Sequence, residues 1–248
     1  MASATLSLGN VPEHLLDMGP AAGPTGLAAL LARGSPAHTL QGINGAGRRT
    51  LAAVSGPLQL QFVRSATSVA QLPPSPAEVA FVGRSNVGKS SLINALANRK
   101  QLAQVSNTPG RTQLINLFVL PTGATVVDLP GYGFAAVPGR VKQGWKEMIE
   151  GYLLDREELE QTFILVDGEI GPTKLDVQML DWCRANGLPH TVVATKMDKV
   201  KSSKRDHRKK ELAEGCQLEK GDIVWASAAK GTGIEALRSL VMAHLELG

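Results

Sequence analysis

The run GRSNVGKSS, residues 83–91, follows the apolar stretch EVAFV and leads into SLINALAN, where apolar residues recur at helical spacing. A GxxxxGK(S/T) loop between a buried strand and a helix admits few folds. Backbone N–H groups, a lysine and a helix N-terminus must all converge on one anion. Gly83 and Gly88 keep the loop bare enough to wrap a β-phosphate. Lys89 neutralises the β/γ oxygens, and the Ser90 hydroxyl is placed to ligate Mg2+. Arg84, Ser85, Asn86, Val87 and Ser91 complete the candidate phosphate cradle.

Periodicity around this unit sets the fold class. LQLQFV (58–63), EVAFVG (78–83), QLINLFVL (113–120), TVVDLP (125–130), TFILVDG (162–168), HTVVATK (190–196) and DIVWAS (222–227) read as strands. Several are unbroken apolar runs, as strands covered on both faces should be. Between them, Leu92, Ile93 and Leu96 share a helical face. So do Leu175, Met179, Leu180 and Cys183, with Gly187 at the C′ position, and Ile234, Leu237, Leu240, Val241 and Leu245 mark a last helix. Alternating strands and helices predict an α/β fold with a mostly parallel sheet, helices on both faces, and ligands at the strands' carboxyl ends.

Residues 1–56 differ from the rest. They are rich in Ala, Gly, Ser and Pro, with Glu13 and Asp17 against Arg33, Arg48 and Arg49. Such composition buries too little surface to fold alone, so a disordered extension is expected, with one domain over 57–248. Two readings of the extension stand. The start MASATLSLGN and the shortage of acids resemble an organelle transit peptide, which would direct the protein to a plastid stroma or mitochondrial matrix. A bacterial extension or over-called start leaves it in a bacterial cytoplasm. No apolar run is long enough for a membrane span. Cys183 and Cys216 are too few for a disulfide scaffold and are expected as reduced thiols. A net charge of +4 says little until its distribution is considered.

Further motifs choose the nucleotide. TKMD, comprising Thr195, Lys196, Met197 and Asp198, ends a strand and matches the guanine-reading (N/T)KxD. The Asp198 carboxylate can accept from guanine N1–H and N2–H2, which adenine cannot offer. Lys196 is expected to lay its stem along the base. SAAK (227–230) closes the pocket, with the Ala228 N–H available to guanine O6. DLPG, comprising Asp128, Leu129, Pro130 and Gly131, would bring Asp128 to Mg2+ through water and the Gly131 N–H to a γ-phosphate. VSNTPGRTQ (105–113) lies where switch I must run, and Thr108 and Thr112 are both candidates for the Mg2+ shell. After Gly131 comes Tyr132, not a water-orienting glutamine. Its phenol is a poor base at neutral pH.

GRSNVGKSSLINAL, SNTPGRTQLINLF, DLPGYGFA, TKMDK and SAAKGTGI together resemble the EngB-type GTPases, a translation-factor-related class of P-loop GTPases, over roughly residues 57–247. The resemblance implies a Ras-like sheet of six to seven strands with one antiparallel strand. It implies GTP or GDP with Mg2+ as ligands and a role in late assembly of the large ribosomal subunit, with a link to cell division and septation; a monomer is expected. By motif position it makes Ser90 and Thr112 Mg2+ ligands. Gly110, Arg111, Thr112, Gln113 and Leu114, with Ala226, Ser227 and Ala228, become nucleotide contacts. Thr195 stands where most GTPases carry Asn, which implies loss of an amide that braces the phosphate loop and micromolar-range affinity. VDGEIGP (166–172) also departs from the pattern, and its sequence offers no function.

Catalysis is expected from Lys89, Thr112, Gly131 and Asn86, whose position resembles that of an asparagine holding K+ beside the phosphates in related GTPases. The stretch KVKSSKRDHRKK (199–210) carries seven Lys/Arg and one acid, and is the first candidate contact for ribosomal RNA, with Arg205, Arg208 and Lys209 on one side of a helix. The switch II continuation, Phe134 to Trp145, is a second. If K+ assists hydrolysis, exchanging it for Na+ lowers turnover; equal rates in the two salts remove Asn86 from catalysis.

Overall fold

The apolar runs pair into one seven-stranded sheet. The computed structural model describes residues 56–103, 114–133 and 139–246, with backbone only at 139–143 and 145. Strands β1 (Gln61–Ala66), β2 (Glu78–Gly83), β3 (Ile115–Val119), β4 (Thr125–Asp128), β5 (Leu159–Asp167), β6 (His190–Thr195) and β7 (Ile223–Trp225) lie in the order β1-β3-β4-β2-β5-β6-β7. The pairs β4–β2, β2–β5, β5–β6 and β6–β7 are parallel, and β3 is antiparallel to β1 and β4. This is the mostly parallel sheet that the alternation predicts, and the Ras-like arrangement with one reversed strand that the family resemblance implies. The extension expected over 1–56 lies outside the described residues except for Gly56.

Every residue of β2 is buried, which explains its lack of alternation. One face of the sheet carries Val79, Phe81, Val126 and Phe163. It is covered by α1 (Lys89–Leu96) through Leu92, Ile93 and Leu96, and by α5 (Ile234–Leu245) through Ile234, Leu237, Val241 and Leu245. Phe81 and Phe163 stack with centroids 5.0 Å apart. Burying each such ring contributes about 1.5–3 kcal/mol. Arg238 of α5 donates from Nε to the Leu96 carbonyl and from Nη2 to that of Ala95, at 2.8 and 2.7 Å, satisfying open carbonyls at the end of α1.

The opposite face holds α2 (Gly139–Asp155), and the buried stripes of α3 (Lys174–Ala185) and α4 (Arg205–Cys216) lie outside the first cluster. The side of α2 follows from Glu78, which points away from Val79 along β2 and bonds the C-terminal end of α2. At the end of α3, Gly187 adopts φ 64° as C′. Its N–H bonds the Arg184 carbonyl (3.1 Å) and the Leu188 N–H bonds that of Cys183 (2.9 Å), a Schellman closure.

Two sequence expectations shift. The strand expected at 58–63 begins instead at Gln61. Leu58 and Leu60 are buried core residues, and the Leu58 N–H bonds the end of α1 at Leu96 (3.0 Å). Their alternation reflects packing against α1 before pairing with β3 starts. On α3, Leu175 is 41% exposed and does not join Leu180 and Cys183 in the core. Asp176 is buried in that turn instead.

At the amino end of β2 lies a polar network that the strand pattern conceals. Glu78 is 0% exposed and Arg156 6%. Glu78 Oε1 accepts from Tyr152 (2.6 Å) and Arg156 Nε (2.8 Å), and Oε2 from Thr125 (2.7 Å) and Arg156 Nη2 (3.2 Å). Removing one partner of a buried ion pair leaves a stranded charge. Arg156→Ala is therefore expected to lower stability by about 3–5 kcal/mol, measured as the shift of the urea midpoint; a shift within experimental error contradicts the assignment.

Candidate nucleotide site

Parallel pairing of β4, β2, β5, β6 and β7 puts the five loops that follow them on one rim of the sheet. The loop after β2 spans Arg84 to Gly88, where Asn86 and Gly88 take φ 66° and 102°, and α1 starts at Lys89. Asparagine tolerates the left-handed region better than most side chains, so Asn86 suits its place on backbone grounds alone. Its amide is exposed and has no side-chain partner among the described residues. Lys89 is nearly buried and pairs with the carboxylate of Asp128, itself 1% exposed, at the end of β4.

The segment after β4 runs alongside the phosphate loop. Its Tyr132 N–H donates to the Gly83 carbonyl (3.2 Å), and the Ser85 N–H donates to the Tyr132 carbonyl (3.0 Å). A Cβ on Gly131 would lie 3.1 Å from Ser85 Cα and N, so any larger residue would push the two backbones a few tenths of an ångström apart. The Tyr132 hydroxyl donates to Asp176 Oδ1 at 2.8 Å. Burial, then the adjacent Asp176 carboxylate, holds this phenol well above its usual pKa, so it stays a neutral donor.

On the far side, the Thr195 hydroxyl donates to the Val87 carbonyl at 2.6 Å, with the Val166 carbonyl 3.3 Å away. This corrects the expectation that threonine leaves the phosphate loop without a brace. The hydroxyl reaches the backbone of the phosphate loop, so a missing brace is no ground for weakened affinity. Lys196 adopts φ 56°, and its ammonium pairs with Asp167 Oδ2 at 2.7 Å. Asp198 Oδ1 accepts from the Ser227 hydroxyl (2.6 Å), which in turn accepts from the Lys230 N–H (3.1 Å). The Ser227 bond, the largest of several influences, lowers the Asp198 pKa and keeps the carboxylate ionised. Ala226 is buried, its N–H bonding the Ala194 carbonyl (2.9 Å) and its carbonyl accepting from Met197 (3.2 Å), which splices the TKMD and SAAK loops together.

Sequence reasoning passed over Asp167, although an acid at a strand's carboxyl end in this sheet was signal enough. It gives the unexplained VDGEIGP stretch a structural account. Asp167 Oδ1 caps the Glu169 N–H (2.9 Å), its carbonyl accepts from Gly171 (2.8 Å), and Gly168 donates to the Thr195 carbonyl (2.9 Å). Asn94 was missed too. It clamps Ala103 through both backbone groups, at 2.7 and 2.9 Å, just before the switch I stretch. Gly110, Arg111, Thr112 and Gln113 lie outside the described residues, as do Thr108 and residues 134–138. Leu114 is described and partly exposed. Burial pushes the Cys183 thiol to about 12 and Cys216 to about 11, so neither offers a thiolate.

The basic stretch is arranged differently from expectation. Arg205, Arg208 and Lys209 are half-buried on α4. Arg205 Nε donates to the Val200 carbonyl (3.2 Å), Arg208 pairs with Glu211 (3.2 Å), and Lys210 lies 3.7 Å from Glu214. The acids that follow residue 210 in sequence return over the helix face at i+3 and i+4. Lys199, Lys201 and Lys204, in the short turns beside Asp198, are exposed and make no ion pair among the described residues.

A P-loop site implies Mg2+. Ser90, in the first turn of α1, and Asp128 are hard oxygen donors beside the phosphate loop, and no cluster of three His, Cys, Asp or Glu side chains forms among the described residues. That donor set suits an ion that takes most of its ligands from phosphate and water. Among the described residues no helix is long and apolar enough to cross a membrane.

Residues 78–196 match a family model described as 50S ribosome-binding GTPase. The chain is 47% identical over 183 residues to a probable GTP-binding protein EngB of Pelotomaculum thermopropionicum, covering 73% of this chain and 92% of the relative. A second such protein, from Thermotoga maritima, is 45% identical over 179 residues, covering 70% and 89%. The crystal structure of a probable GTP-binding protein engB superposes with a TM-score of 0.57 at 25% identity, over 69% of this chain and 100% of the other.

The Thr195 brace is testable without any ligand. Thr195→Val keeps the shape and removes the donor to a buried carbonyl, so stability should fall by about 1–3 kcal/mol, read from urea unfolding. An unchanged midpoint would mean that the Val87 carbonyl does not depend on this hydroxyl.

Proposed function

Since this chain belongs to the EngB-type family of P-loop GTP-binding proteins, we propose that it is a Mg2+-dependent GTPase of low intrinsic turnover. In this reading it works as a switch in late assembly of the large ribosomal subunit and, by family resemblance, is needed for cell division and septation. The observation that carries the reading is Asp198. Ser227 holds one of its carboxylate oxygens at 2.6 Å, on the rim that also carries the phosphate loop, which leaves the carboxylate oriented to accept from guanine N1–H and N2–H2. A purine without those donors would strand a charge.

The chain's own residues then divide the work. Lys89 exchanges Asp128 for the β/γ oxygens when a nucleotide arrives, and the phosphate-loop N–H groups and the α1 N-terminus add positive potential. Released Asp128 and the Ser90 hydroxyl become available to Mg2+, Asp128 through water, with Thr112 as the further ligand. The ion, when bound, neutralises charge that develops on the phosphates. Gly131 presents its N–H to the γ-phosphate. Lys196, fixed by Asp167, lies beside the base, and Ala228 meets guanine O6. Arg84, Ser85, Asn86, Val87, Ser91, Gly110, Arg111, Gln113 and Leu114 complete the envelope. The exposed amide of Asn86, without a side-chain partner among the described residues, is suited to hold K+.

The description of the matched family model supports a ribosomal partner. The exposed cations Lys199, Lys201 and Lys204 make a sequence-neutral phosphate contact with ribosomal RNA the fitting mode. The bacterial relatives support a cytoplasmic setting, and the protein is read as a monomer with residues 1–56 as an extension to it.

A second reading has one observation in its favour. The Tyr132 hydroxyl is committed to Asp176, so no side chain at the glutamine position orients water. Nucleotide exchange alone could then gate RNA binding, with hydrolysis incidental. Single-turnover hydrolysis with and without large-subunit particles separates the two, since only the first reading expects the particles to accelerate it.

Asp198→Asn should weaken GTP about a hundredfold or more while improving binding of xanthosine triphosphate, whose C2 carbonyl accepts where guanine donates. Retained GTP preference in a competition titration would refute the base-reading role. The protein loaded with a non-hydrolysable GTP analogue should sediment with large-subunit particles and the GDP form should not. Charge removal at Lys199, Lys201 and Lys204 should reduce that association without altering GTP affinity. Equal sedimentation in both nucleotide states would count against a switch.

A further inference from the structure

Tyr132 is held at three points, two through its backbone and one through its side chain. Its N–H and carbonyl bridge Gly83 and Ser85, at 3.2 and 3.0 Å. Its hydroxyl reaches Asp176 Oδ1 at 2.8 Å. Asp176 is itself fixed. It is 1% exposed, and its other oxygen accepts from the Thr173 N–H (2.8 Å) and hydroxyl (2.7 Å) in a capping arrangement at the start of α3. The tyrosine is thus tied to the first turn of a helix whose C-terminal end is closed by a Schellman motif. Gly131, one residue earlier, lies in backbone contact with Ser85. Gly133 follows with φ 79° and lies against α3, where a Cβ would come within 2.6 Å of Leu175 Cδ1.

We infer that Tyr132 is a positioning residue whose hydroxyl, anchored on Asp176, holds the Gly131 backbone against the phosphate loop and thereby raises the affinity for a nucleoside triphosphate relative to that for a diphosphate. This rests on the nucleotide reading above and deepens it. The residue at the glutamine position acts through its neighbour's N–H. The ring alone could fill the space between sheet and α3, as a phenylalanine would. The hydroxyl does something a ring cannot, because it supplies a hydrogen bond to a buried carboxylate whose other partner among the described residues is Thr173. A Gly131 N–H held in place before the ligand arrives needs no ordering when a γ-phosphate binds. A diphosphate does not reach that group, so the benefit is confined to GTP. The first residues of switch II then form a fixed arm.

The test compares Tyr132→Phe with the unaltered full-length protein, titrating GDP and a non-hydrolysable GTP analogue in Mg2+. Loss of one positioning hydrogen bond should weaken the analogue about fivefold and leave GDP within about twofold. An unchanged ratio of the two affinities overturns the inference, whether both stay constant or both fall together, because a purely structural role moves them equally. Hydrogen exchange on the unaltered protein gives a second measurement that does not depend on the variant folding. The Tyr132 amide should be equally protected with GDP and with the analogue. Its deprotection in the GDP state would show that the arm is not fixed. If the unaltered protein binds neither nucleotide, the nucleotide reading fails, which is distinct from an unchanged ratio.

Discussion

Parallel alignment of β4, β2, β5, β6 and β7 is the constraint on which the rest of the molecule depends, because it brings the five loops after those strands to one rim. Side chains then lock the loops to one another. Thr195 ties the loop after β6 to the phosphate loop, Lys89 ties the phosphate loop to the end of β4, Lys196 ties to the end of β5, and Ser227 ties the loop after β7 to Asp198. These partners are 108, 39, 29 and 29 residues apart in the chain. None can form until the sheet has aligned its strands, so the site is a product of the whole fold and not of any one motif.

Strand β2 joins two buried ion pairs of different character. At its amino end both oxygens of Glu78 are satisfied by Arg156, Tyr152 and Thr125. A buried network with every lone pair engaged is rigid, and it anchors the C-terminal end of α2. Past its carboxyl end, Asp128 has Lys89 as the sole side-chain partner among the described residues. A lysine with one partner can exchange it for phosphate oxygens without dismantling a network. Permanence at one pole and exchange at the other match the mechanical needs of a domain that must stay folded while its ligand changes.

Much of this was legible in the residues. The phosphate loop, TKMD and SAAK motifs sat at strand ends in the expected order, and unbroken apolar runs such as EVAFV announced a parallel sheet. What misled were segments whose pattern has two physical causes. Leu58 and Leu60 alternate like a strand but are buried against α1. Leu175 has helical spacing but faces outward, while Asp176, polar by type, is buried because Tyr132 and Thr173 satisfy it. The cations of 199–210 looked like one continuous patch until Glu211 and Glu214 folded back over part of them.

By itself, the sequence determined the strand–loop–helix unit, the alternation that demands a mostly parallel sheet, and the residue types that can meet phosphate, Mg2+ and guanine. These follow from local spacing and side-chain chemistry, which are properties of the chain before it folds. Tertiary structure alone decided the partners. Whether threonine at 195 braces the phosphate loop, what Asp167 holds, and where the Tyr132 hydroxyl goes depend on distances between groups far apart in the chain. A tyrosine in place of a glutamine reads as a loss in one dimension. In three it is a strut between the phosphate loop and α3, because only the folded sheet brings Asp176 within 2.8 Å of its hydroxyl.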